Sequence, residues 1–148
     1  MALAPPMRAL LGFIAAALSV LTFHQGMWAL LHLLNPPNLG MPPAYPLDPV
    51  PPLGVPLVLD LAFWGGLYGL AFGLLAPRFT WPLWLCGLLT GIIASLVGIF
   101  IVPAIKGQPV GEGWLLTNWL RLFLINGCWG LGVGLIFPLL ARSALRSA

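Results

Sequence analysis

Apolar residues run almost unbroken over positions 9–34, 55–76, 83–102 and 114–140. Each run reaches the roughly 20 residues that a helix needs to cross a ~30 Å hydrocarbon core. The pattern predicts an all-α membrane protein, with four transmembrane helices in a compact bundle and a single integral membrane domain over 1–148. The first run follows Arg8 and is too long for the apolar core of a signal peptide, so it reads as a retained helix. Its 26 residues would extend about 39 Å, so it must tilt or project at its far end.

External loops are expected at 35–54 and 103–113. The stretch from Asn35 to Pro56 holds nine of the sixteen prolines, which rules out a helix or a central strand. It also carries Leu39, Met41, Tyr45, Leu47, Val50, Leu53 and Val55. So apolar a connection should lie at the bilayer interface or over the helix ends. A rigid spacer is the preferred reading, ahead of a lid over a pocket.

Composition narrows the picture. Hydrophobic residues make up 60% of the chain and charged residues 6%, which excludes a soluble domain. The net charge of +3 does not point to nucleic acid, because the arginines sit at helix ends. Arg8, Arg78, Arg142 and Arg146 share one side of the membrane; Asp48, Lys106 and Glu112 share the other. The positive-inside rule then places both termini in the cytoplasm and the Pro-rich loop outside. One lysine against five arginines, in an Ala-, Gly-, Leu- and Pro-rich background, fits a bacterial inner membrane. Cys86 and Cys128 read as separate buried thiols. No metal-binding spacing is present.

Polar residues inside the spans mark the candidate chemistry, since unpaired polar groups in hydrocarbon are costly. On the first helix His24, Gln25, Trp28 and His32 fall within an arc of about 100°, a face expected to point into the bundle. Counting 1.5 Å per residue from the outer end of each span puts His32, Asp60, Asn118 and Arg121 in an upper layer, about 3–10 Å down. His24, Gln25 and Asn126 fall about 14–18 Å down, near the midplane. These seven residues are the candidate polar pocket, in the outer half of the bundle. Asp60 and Arg121, at similar depth, are the candidate intramembrane ion pair.

His24 and His32 lie about 12 Å apart along one helix, so they cannot ligate a single haem between them. No cofactor is required by the sequence. Gly65, Gly69 and Gly73, with Gly87/Gly91 and Gly130/Gly134, have the four-residue spacing of helix-packing seams. The seam on the second span could serve the first span, the third, or another copy of the chain. Trp64-Gly65 and Trp129-Gly130 open two segments that align without gaps, suggesting a repeated hairpin.

No nucleophile–base–acid constellation or phosphate loop is present, so no enzymatic activity is expected. The sequence supports an accessory or scaffolding subunit, or a small-ligand-binding membrane component. The alternative is an oligomeric transporter or channel component for a small solute or proton, using His24, Asp60 and Arg121. A quinone- or haem-binding redox subunit comes third. Expected partners are the lipid bilayer and either further copies of the chain or a larger membrane complex.

Overall fold

The computed structural model of the protein describes residues 3–146. Four helices among them are long and apolar enough to cross a membrane: α1 (Pro5–Leu34), α2 (Leu57–Arg78), α3 (Leu83–Ile105) and α4 (Leu116–Arg146). Prolines set several of the boundaries. Pro5 and Pro6 open α1, where a missing N–H costs nothing, and Asn35 ends it in the left-handed conformation at φ 40°. Pro56 and Pro82 directly precede α2 and α3.

Two turns are wound more widely than the rest. Val20–His24 in α1 and Val97–Ile101 in α3 are π-helical. In α3 the cause lies in the sequence. Pro103 offers no N–H to the carbonyl of Ile99 four residues back, and that carbonyl accepts the Gly111 N–H at 2.9 Å instead.

The helices pack as two antiparallel hairpins, α1 with α2 and α3 with α4, joined through α1 and α4; α2 and α3 touch only sparingly. Each hairpin is closed by backbone contact. A Cβ on Gly69 would strike the Gly12 backbone and the Ala16 methyl, and one on Gly87 would strike the Gly130 carbonyl. Only glycine permits such an approach. Gly73 extends the first seam, while Gly91, Gly130 and Gly134 belong to the second. The seam on the second span therefore serves α1. Gly65 faces Val20 and Trp129 instead. The shared Trp-Gly dipeptide is not used alike in the two hairpins, since Trp64 is 56% exposed and Trp129 only 2%.

At the end where α1 begins and α4 finishes, the bundle is plugged by phenylalanines. Phe72 meets Phe79 at 5.2 Å and Phe137 at 5.8 Å between ring centroids. Ala15, Ala16, Val20, Trp129 and Val133 continue this core toward the middle.

Two contacts fix the relative heights of the helices. Gly65 lies against Val20, and the Ser19 hydroxyl donates to the Trp129 carbonyl at 2.6 Å. Antiparallel counting from Gly65 sets Leu61 level with His24 and Leu57 level with Trp28. The last six residues of α1 thus project roughly 9 Å beyond the start of α2.

The 35–56 connection doubles back along that projection. His32 Nδ1 lies 2.8 Å from the Met41 carbonyl, and the Trp28 indole donates to the Pro42 carbonyl at 2.8 Å. The Tyr45 N–H donates to Gln25 Oε1 at 2.6 Å, and the Tyr45 hydroxyl to the Leu21 carbonyl at 2.8 Å. The strap then crosses to α2, where the Asp48 and Pro46 carbonyls accept the Leu57 and Val58 N–H groups. These bonds satisfy helix donors that would otherwise be orphaned. A two-residue hairpin of β1 (Pro49–Val50) and β2 (Val55–Pro56) completes it.

Candidate functional site

Because α2 and α3 touch only sparingly, they leave a cavity of about 560 Å³ walled by all four helices. That volume falls within the ~300–1,000 Å³ of small-molecule sites. Val20 and His24 come from the π turn of α1, and Val97 and Gly98 from the π turn of α3. Both irregular turns therefore face the same space. The floor is Tyr68 and Trp129, whose rings meet at 6.0 Å. Toward the opposite end the cavity reaches the surface between α2 and α3, where Trp64 is 56%, Val102 39% and Ile105 80% exposed.

Three of the seven candidate pocket residues meet here: His24, Asp60 and Asn126. The helix register explains why. Asp60 lies one residue from the Leu61–His24 level, and Asn126 lies within about one turn of it, counting from the Ser19–Trp129 contact. Counting depth from the end of each helix separately put Asp60 about 8 Å above His24. That count failed because α1 overshoots α2.

The other four residues do different work. Gln25 is fully buried and sits between the strap and the site. Its Oε1 is fixed by the Tyr45 N–H, which turns Nε2 toward His24 Nδ1 at 3.4 Å. His32 holds the strap. The Asn118 amide donates to the Glu112 carbonyl at 2.9 Å, tying the 106–115 loop to the start of α4. Arg121 donates to the Asn38 carbonyl at 3.2 Å, and among the described residues it forms no ion pair. The expected Asp60–Arg121 pair is thus not made. Its two members lie on separate features, the cavity and the strap. The face formed by His24, Gln25, Trp28 and His32 is likewise divided, with His24 in the cavity and the other three holding the strap.

The aromatic and charged lining residues Trp64, Tyr68, Trp129 and Lys106 were not singled out from the sequence as site residues. One signal was available. Asp60, Trp64 and Tyr68 are spaced by four, which puts a carboxylate and two aromatic rings on one stripe of α2. Lys106 was read only as a loop charge, although it follows α3 directly.

Among the described residues, the Asp60 carboxylate, the Lys106 ammonium, the Asn126 amide and the Tyr68 hydroxyl have no hydrogen-bond or ionic partner in the protein. The Trp129 indole is satisfied by the Ala16 carbonyl at 3.0 Å. The cavity thus presents acceptors, donors and both signs of charge between largely apolar walls. No group of three His, Cys, Asp or Glu side chains gathers for a metal ion among the described residues. No protein-family model, curated protein or solved structure matches this chain.

Proposed function

We propose that this chain is a non-enzymatic, small-ligand-binding component of a membrane, with its ligand held in the cavity between α2 and α3. The observation that carries this reading is a single space walled by all four helices in which Asp60, Lys106, Asn126 and Tyr68 lack protein partners. Asp60, Tyr68 and Asn126 are half-buried within apolar spans, where a polar group left unpaired by the protein is costly unless something else meets it, and Lys106 stands exposed at the rim. The arginine distribution supports an orientation in which the cavity lies in the outer half of the bundle and opens toward the exterior of a bacterial inner membrane. Binding is favoured over conduction through a single copy because Phe72, Phe79 and Phe137 fill the bundle on the cytoplasmic side.

The test fills the cavity without disturbing the packing. A Cβ at Gly98 meets nothing within 4 Å, so Gly98→Phe can project into the space. Native mass spectrometry of protein extracted in mild detergent should show a retained small molecule on the wild type and none on Gly98→Phe. Equal retention by a folded Gly98→Phe variant would count against the cavity as the binding site.

A further inference from the structure

The arrangement of charge in the cavity specifies more than a generic ligand. Asp60 stands on the α2 stripe with Trp64 and Tyr68, one and two turns farther along, so one space holds a carboxylate and two aromatic rings. That combination suits an organic ammonium group, which a carboxylate attracts by charge and an aromatic face by its quadrupole. Lys106 lines the same cavity at the end of α3, exposed at the rim, and offers a matching site for an anionic oxygen group. The two charges share the space without forming an ion pair among the described residues. The protein therefore leaves both available to one ligand.

The remaining walls are apolar: Val20, Leu61, Ala94, Val97, Val102 and Ile105. The two helices that border the opening touch only sparingly, so the cavity, open at the loop end, also borders the surrounding lipid along the flank of the bundle. A ligand matching all three features carries an ammonium, a phosphate-type anion and a hydrocarbon body. We infer that the cavity takes the headgroup of a zwitterionic phospholipid from the bilayer, with the ammonium at Asp60, the phosphate at Lys106 and an acyl chain leaving between α2 and α3. The inference rests on the ligand-binding reading above and deepens it.

The experiment compares lipids of identical acyl chains on the delipidated full-length protein by native mass spectrometry: phosphatidylethanolamine, phosphatidylcholine and phosphatidylglycerol. Soluble phosphoethanolamine serves as a competitor. One zwitterionic lipid should bind per chain, preferred over phosphatidylglycerol by roughly tenfold or more, the scale of one charge-assisted contact. Asp60→Asn should abolish the preference by weakening only the zwitterionic lipids. Lys106→Gln, at an exposed position that leaves the fold undisturbed, should weaken all three lipids while keeping their order. Phosphoethanolamine in hundredfold excess should not displace the lipid.

Equal binding of phosphatidylglycerol by the wild type overturns the inference, as does an unchanged preference in folded Asp60→Asn. If Asp60→Asn does not fold, Lys106→Gln decides, and unaltered lipid binding in that variant overturns the inference. Displacement by phosphoethanolamine at equal concentration overturns the lipid as the source. One-site binding without headgroup preference, blocked by Gly98→Phe, defeats this inference and leaves the ligand-binding reading standing. Absence of any one-site ligand on the wild type defeats both.

Discussion

Gln25→Leu removes the one side chain that joins the strap to the site. The residue is fully buried, and its amide bridges the Tyr45 N–H at 2.6 Å and His24 Nδ1 at 3.4 Å. Leucine conserves much of the volume, so the loss is polar. An orphaned buried donor costs about 1–3 kcal/mol, and the long contact to His24 adds little. Four other side-chain bonds still hold the strap, from Trp28, His32, the Tyr45 hydroxyl and Arg121. The bundle should therefore stay folded while the detached strap becomes roughly 10- to 100-fold more populated. Residue-resolved hydrogen exchange in detergent reads this directly, because the Tyr45 amide is the donor in question. Its exchange should accelerate by that factor, while amides in the α3–α4 hairpin keep their protection. Unchanged exchange at Tyr45 in a folded Gln25→Leu protein would refute the bridge.

Other substitutions separate the remaining parts of the account. Gly87→Leu should abolish folding or lower the unfolding temperature steeply, because its side chain would meet the Gly130 backbone, whereas Gly26→Ala should be neutral or slightly stabilising since nothing lies within 4 Å. Thermal unfolding followed by circular dichroism distinguishes them, and equal behaviour would contradict the seam. Phe72→Ala, at 2% exposure against Phe79 and Phe137, should cost about 3–5 kcal/mol by the same assay, and a loss under 1 kcal/mol would argue against the plug. Asp60→Asn and Arg121→Gln should change stability additively, within about 0.5 kcal/mol, because Arg121 bonds the strap and Asp60 lines the cavity. A larger coupling in the double variant would restore the ion pair.

The four spans were legible because hydropathy over some 20 residues depends on the lipid solvent and not on tertiary contacts. The glycine spacing was legible for a similar reason, since close backbone approach leaves a four-residue period. Relative height was not. It depends on where Gly65 meets Val20 and Ser19 meets Trp129, contacts that join distant parts of the chain. That unknown separated Asp60 from His24. Arg121 does lie within about one turn of Asp60 by the same register, and what parts those two is the face each presents, one to the cavity and the other to the strap. Helical phase misled in another way. Gln25, Trp28 and His32 do share a face, but the Pro-rich connection covers it, with bonds to Met41, Pro42 and Tyr45 replacing an interior. The strap's apolar composition had suggested that it lies against the helix ends. Nothing in the composition indicated which helix it would follow. The π turn at Val97–Ile101 was partly foreshadowed by Pro103; the one at Val20–His24 has no such marker.

The central claim is a cavity open at the loop end of the bundle and sealed at the end that carries the termini. Cysteine labelling at Gly98 tests it most directly, with Cys86 and Cys128 replaced by serine and Phe137→Cys as the sealed control. A membrane-impermeant thiol reagent applied to oriented vesicles should modify Gly98→Cys only from the face opposite the termini, and Phe137→Cys from neither face. Modification of Gly98→Cys from the terminal face, or its inertness from both faces in a folded protein, would contradict the account.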